Sequence, residues 1–185
     1  MVLRPALVSL AAVLLTACAT GGPMLVTDAD QPHAVGEGTP VTVRWGDPAQ
    51  FTEIRQSQNR HQAIEGDWVE QMGAYVAERV ARALPAGERA DVEILDIKRA
   101  GEFEWIGTQN DDVRILRDLY PPRMRVQFRR TDAGGQVIAE GERTISDLDY
   151  LMGSQPVPTT DPLRYEKRMI DRWVQREFGS PITRR

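Results

Sequence analysis

The chain has 185 residues, 41% of them hydrophobic and 6% aromatic, with 23 basic and 27 acidic residues and a net charge of −4 at pH 7. That length suits one ordinary domain, and the acidic balance excludes wholesale nucleic-acid binding, which needs a basic excess or a dominant basic face. A single cysteine rules out an internal disulfide, so the domain must be held by its core.

The first predicted element is a targeting segment. Arg4 precedes an apolar run from Ala6 to Leu15, and Leu15-Thr16-Ala17-Cys18 follows. A charged start, a short apolar core and small residues before a cut describe a secretory signal. The run falls well short of the roughly 20 residues a spanning helix needs. Leu-Thr-Ala-Cys resembles the bacterial lipobox, which implies cleavage after residue 17 and lipid attachment at Cys18. An ordinary signal with an incidental Cys is the less favoured alternative, because the one cysteine of the chain stands at the required place. Once acylated, Cys18 is neither a nucleophile nor a metal ligand. By resemblance to sorted lipoproteins of Gram-negative bacteria, Ala19 implies the periplasmic face of the outer membrane, with the membrane as partner through the lipid. Residues 19–40 lack periodicity and are rich in Gly, Pro, Thr and Asp. They read as a tether with a reach of about 25 Å. The expected division is a signal over 1–17, acylated Cys and tether over 18–40, and one domain over 41–185.

Alternation predicts a first strand over 41–45, with Val41, Val43 and Trp45 on one face. Asp47-Pro48 caps and starts a short helical turn carrying Phe51. A long helix is expected from about Gln62 to Leu84, its apolar stripe running through Ile64, Trp68, Met72, Tyr75, Val76, Val80 and Leu84. Pro85-Ala86-Gly87 ends it. The second strand, 89–97, turns Ala90, Val92 and Ile94 to one side, and strand–helix–strand predicts a crossover with parallel strands. The loop 101–112 leads to 113–119, a further strand or an irregular edge, which Tyr120-Pro121-Pro122 breaks. A hairpin pairs 123–130 with 136–145 around 131–135. Keeping apolar residues together sets Phe128 opposite Ala139 and Arg125 opposite Glu142. Asp161-Pro162 starts a last helix to about Phe178, burying Leu163, Tyr165, Met169, Ile170, Trp173 and Val174, and Gly179-Ser180-Pro181 ends it. Strand, helix, strands, helix predicts an α+β two-layer sandwich: a largely antiparallel twisted sheet with two helices on one face.

Several of these segments together resemble domain-of-unknown-function family 3016, uncharacterised bacterial envelope proteins. The matching pieces are Val43-Arg44-Trp45 with Asp47-Pro48 and Phe51, Asp112-Val113-Arg114, Tyr120-Pro121-Pro122-Arg123, and Tyr165-Glu166-Lys167-Arg168-Met169 with Asp171 and Trp173. The resemblance implies a secreted bacterial domain and carries over no activity, ligand or catalytic residue. Where the family tends to carry Asp-Leu after the second strand, this chain has Lys98-Arg99, which speaks against an acidic site there.

Candidate chemistry is sparse. His33 and His61 have no second ligand at metal spacing, so no metal and no cofactor is expected. Gly153-Ser154 and Gly179-Ser180 are followed closely by Pro and read as loops rather than nucleophile elbows, and Gly134-Gly135 is a hairpin turn, not a phosphate loop. Glu102, Glu104, Asp111 and Asp112 crowd the 101–112 loop beside Phe103 and Trp105. A charged surface loop is the commoner explanation, a carboxylate- or metal-dependent hydrolase the sharper one. Arg168, Arg172 and Arg176 recur at i, i+4 and i+8, a basic rail that could dock on anionic lipid headgroups or an acidic envelope protein. The bland reading is cations suiting a helix C-terminus, with a Lys167–Asp171 ion pair. The leading expectation is a non-enzymatic accessory or binding domain tethered to the membrane, with a small hydrolase as the alternative.

Overall fold

The computed structural model describes residues 23–104, 112–152 and 160–179. Strands β1 (Ala34–Val35), β2 (Val41–Trp45) and β3 (Arg89–Lys98) are followed by β4 (Glu102–Phe103), β5 (Arg114–Ile115), β6 (Arg123–Thr131) and β7 (Val137–Ser146). Helices α1 (Thr52–Arg55), α2 (Arg60–Ile64) and α3 (Trp68–Ala83) lie between β2 and β3, and α4 (Arg164–Glu177) closes the described chain.

The main sheet has the order β1-β2-β3-β6-β7 and is antiparallel except for the parallel β2–β3 pair. That exception follows from the crossover through α3, since two adjacent parallel strands need a connection of a dozen or more residues. Alternation is clean in β6, where Met124, Val126 and Phe128 are buried and their neighbours exposed. Val43, Val92, Ile94, Val126 and Phe128 meet Met72, Val76 and Val80 of α3 and Ile170 and Trp173 of α4 in one core. The opposite sheet face carries Arg44, Asp91, Glu93, Arg129 and Glu140 in solvent, so the domain is the expected two-layer α+β arrangement. The helix layers touch through a polar clamp as well. The Tyr75 hydroxyl donates to Asp171 (3.0 Å), which also pairs with Arg79. Burial, with the Asp171 charge beside it, pushes the Tyr75 phenol up to about 12.

Four local expectations are corrected. The single helix over 62–84 is two helices, α2 and α3, broken at Glu65-Gly66-Asp67, where Gly66 adopts φ +90°. The break is where the preceding chain docks: the Val26 amide donates to the Ile64 carbonyl (2.8 Å) and the Gly66 amide to the Met24 carbonyl (2.7 Å). The expected tether is therefore ordered over part of its length, since Val26 is 3% exposed and belongs to the core, and Ala34–Val35 form the edge strand β1. The hairpin register differs by two residues. Phe128 faces Gly141, Arg129 faces Glu140 and Met124 faces Ile145. A two-residue shift leaves every side chain on its expected face, so alternation alone could not choose. The choice is made by the Asp132 carboxylate, which accepts from the Gly134 (2.8 Å) and Gln136 (2.9 Å) amides, together with an irregularity between Arg130 and Thr131. Lastly, Lys167 pairs with Asp161 (2.5 Å) rather than Asp171, which is committed to α3. Among the described residues no helix is long and apolar enough to cross a membrane.

Candidate functional site

The last residues of β3 lead into a tight turn at Ala100-Gly101, against which the small β4–β5 sheet folds back. Gly101 has φ +78°, and any side chain there would collide with β5. The start of α4 and the α2–α3 break close the other sides. Together these four pieces enclose a cleft of about 420 Å³, walled by Arg99, Phe103, Arg114, Arg164 and Tyr165, with Glu65 and Asp112 also on its wall. Its volume is at the small end of the range for ligand pockets.

Under the cleft lies a buried ion network. Glu53 of α1 is fully buried, and its Oε2 accepts from Lys98 Nζ (2.9 Å) and from the Arg99 amide (3.0 Å) while its Oε1 accepts from Arg114. Lys98 also pairs with Glu102 (3.0 Å). Arg114 donates further to the carbonyls of Ala100 (3.3 Å) and Gly101 (3.2 Å). The next amide, that of Ala100, donates to Glu166 Oε1 (2.7 Å), whose other oxygen has no partner among the described residues. Two buried carboxylates thus hold two successive amides of one turn. Burial pushes the Glu166 carboxyl above its ordinary value, against the pull of the Arg99 charge.

Three arginines of the wall have their Cζ over aromatic rings at cation–π range: Arg99 over Trp68 (5.4 Å), Arg114 over Phe103 (4.4 Å) and Arg164 over Tyr165 (4.3 Å). A guanidinium with its face on a ring keeps its edge donors for something else. The edge of Arg114 is spent on Glu53 and the turn carbonyls. Arg164 donates to the Asp161 carbonyl (3.2 Å) and the Tyr165 hydroxyl (3.1 Å) and meets no carboxylate. Arg99 makes no side-chain hydrogen bond among the described residues, and its Nε is buried without a partner. Burial and the neighbouring Arg114 charge both pull its pKa down, with Glu166 opposing.

The described carboxylates of the acidic loop are dispersed rather than convergent. Glu102 belongs to Lys98. Glu104 is bound by Arg117 (2.7 Å) and Tyr120 (2.8 Å), whose hydrogen bonds hold its carboxyl below the usual range. Asp112 accepts from the Asn59 side chain (3.1 Å), and Asp111 lies outside the described residues. Among the described residues no three His, Cys, Asp or Glu gather at metal-binding range. His33 approaches the Trp45 carbonyl (3.4 Å) in the β1–β2 region, and His61 is exposed on α2.

The three arginines of the basic rail differ in their surroundings. Arg168 is 3% exposed and points inward, donating to Asp147 (2.6 Å) and to the carbonyls of Asp149 (2.7 Å) and Met152 (3.0 Å). Arg172 shares the buried Asp147 (2.5 Å) while staying half in solvent, and Arg176 is exposed. An i, i+4, i+8 spacing places residues along one side of a helix, but the side begins buried under the 147–152 turn. Cys18 lies outside the described residues. The residues that sequence reasoning missed are Glu53, Arg99, Arg114, Arg164 and Glu166. A signal existed for some of them: the 112–114 and 165–169 segments that carried the family resemblance meet at this cleft.

The model of a family described as a protein of unknown function, DUF3016, matches residues 39–176. No curated protein and no solved structure matches the chain.

Proposed function

The chain belongs to the DUF3016 family of proteins of unknown function, and we propose that it is a non-enzymatic accessory lipoprotein of the bacterial envelope that binds a partner at the Arg99 cleft. Lipid on Cys18 would hold it at the periplasmic face of the outer membrane. The Leu15–Cys18 motif and Ala19 support that address.

One observation carries the binding role. The carboxylates Glu53, Glu102 and Glu104 around the cleft each pair with a cation, while Arg99 and Arg164, which sit over aromatic rings, have no carboxylate within ion-pair distance among the described residues. This supports recognition, since those carboxylates are already engaged by cations of the fold, while the arginine donors are left for a ligand. A hydrolase working through the 101–112 loop has less support for the same reason. The proposed contact surface is therefore the cleft rather than the helix rail, with Phe103 and Asp112 on its wall. A role in docking anionic lipid headgroups rests on Arg172 and Arg176 alone, once Arg168 is taken inside.

The test is in-cell photo-crosslinking of the lipidated protein with the probe placed at Val113, beside the cleft, or at Arg176, away from it, and mass spectrometry of the products. One dominant envelope protein captured from Val113 and lost in Cys18→Ser is the expected result. Capture from Arg176 alone, or only abundant bystanders from both positions, would overturn the reading.

A further inference from the structure

We propose that the cleft is a site for a small, singly charged carboxylate carried on an apolar body, with Arg99 and Arg164 as the groups that bind the charge. This deepens the binding role given above and rests on the cleft being the binding surface.

The argument starts from the arginines as a set. Among the described residues, Arg55, Arg60, Arg89, Arg99, Arg123, Arg164 and Arg176 have no carboxylate within ion-pair distance. Five of these are exposed, where water serves. Only Arg99 and Arg164 are partly withdrawn from solvent, and both line the same cleft. A guanidinium carries five N–H donors, and withdrawing them from water without a partner is unfavourable. For Arg99 this applies in full: its Nε is buried and unpartnered, its Cζ lies 5.4 Å over the Trp68 ring and its side chain donates to nothing among the described residues. Arg164 is half occupied, with two neutral acceptors. The Glu53 and Glu166 contacts to the Arg99 and Ala100 amides fix the backbone that carries Arg99, and the Trp68 ring lies beside its guanidinium, so the donors are in place before any ligand arrives.

The wall also selects the anion. The charge of Arg114 is already answered by Glu53, and Glu65 and Asp112 stand on the wall, so a dianion such as phosphate meets repulsion where a monoanion meets little. Phe103, Leu116, Pro162 and Tyr165 supply the apolar remainder of the lining. Planar carboxylates match the guanidinium fork, and the apolar wall takes the rest of the molecule.

The experiment is isothermal titration of the full-length chain in nonionic detergent with phenylacetate, with the uncharged 2-phenylethanol and with inorganic phosphate. Saturable binding of phenylacetate is expected, with phosphate weaker and no saturable binding of the alcohol. Arg99→Gln should weaken phenylacetate about ten- to hundredfold, the loss that goes with one charge-assisted hydrogen bond. Arg164→Gln should weaken it by a smaller factor, and Arg176→Gln should leave it unchanged. Absence of saturable phenylacetate binding, equal binding of the alcohol, tighter binding of phosphate, or full affinity in both cleft variants would each overturn the proposal. If Arg99→Gln fails to fold, Arg164→Gln and the acid-against-alcohol comparison on the unaltered chain still decide it. A protein crosslinked from Val113 without carboxylate binding would sink this inference and leave the accessory role standing; carboxylate binding with no crosslinked partner would do the reverse.

Discussion

Glu53 and Glu166 are buried within reach of the same turn, yet they should respond to mutation in opposite ways. Glu53 answers Lys98 and Arg114, so Glu53→Ala leaves Arg114 without a carboxylate and Lys98 with Glu102 alone, and should cost about 3 kcal/mol in a urea unfolding experiment. Glu166 has one satisfied oxygen and one bare one. Its folded pKa is raised, so the stability tied to its proton is fully present below its ordinary value of 4.5 and is lost as pH rises through the folded value. Stability should therefore fall with rising pH across that window, and Glu166→Gln should flatten the slope; an unchanged slope would refute the assignment. Neither residue was legible as a buried group. A lone Glu in a sequence reads as solvated surface, and the partners that take Glu53 inside lie 45 and 61 positions away. The same blindness misplaced Arg168, whose partner Asp147 is 21 positions upstream.

The elements were far more legible than the site. Period-two alternation located β2, β3, β6 and β7, and a stripe at spacings of three and four located α3 and α4, because burial of one face writes itself into local order. What local order could not carry was register and interruption. The two-residue shift in the β6–β7 hairpin is decided by the Asp132 turn, so Asp132→Ala should lower stability by about 1–2 kcal/mol through two lost amide bonds. The α2–α3 break is decided by Leu25 and Val26, some 40 positions away and themselves read as tether. Gly73 of α3 packs against Trp45 of β2, and an added Cβ there would overlap the Trp45 ring. Gly73→Ala should lower the urea midpoint, an overpacking effect of about 1–3 kcal/mol, despite the better helix propensity of alanine. A neutral or stabilising result would show that Trp45 can yield.

At the scale of the whole molecule, the order in which parts hold matters as much as where they lie. The described chain begins at Pro23 and runs at once into the Leu25–Glu65 bridge, whose two flanking hydrogen bonds join Met24 to Gly66 and Val26 to Ile64. Glu65 and Gly66 are also cleft wall. Force applied from an anchored Cys18 would enter the domain at this short bridge before it reached β1 or the five-stranded sheet. Two hydrogen bonds and one valine form a weak link in series with a strong one, so under load the bridge yields first while the sheet keeps its extension. In optical-trap pulling from residue 18 to the end of α4, an early low-force step should precede the main rupture and vanish in Val26→Asp. Tension on such an anchor would therefore loosen the α2–α3 wall of the cleft before the sheet yields, so the geometry of the cleft would depend on how far the N-terminal end is pulled.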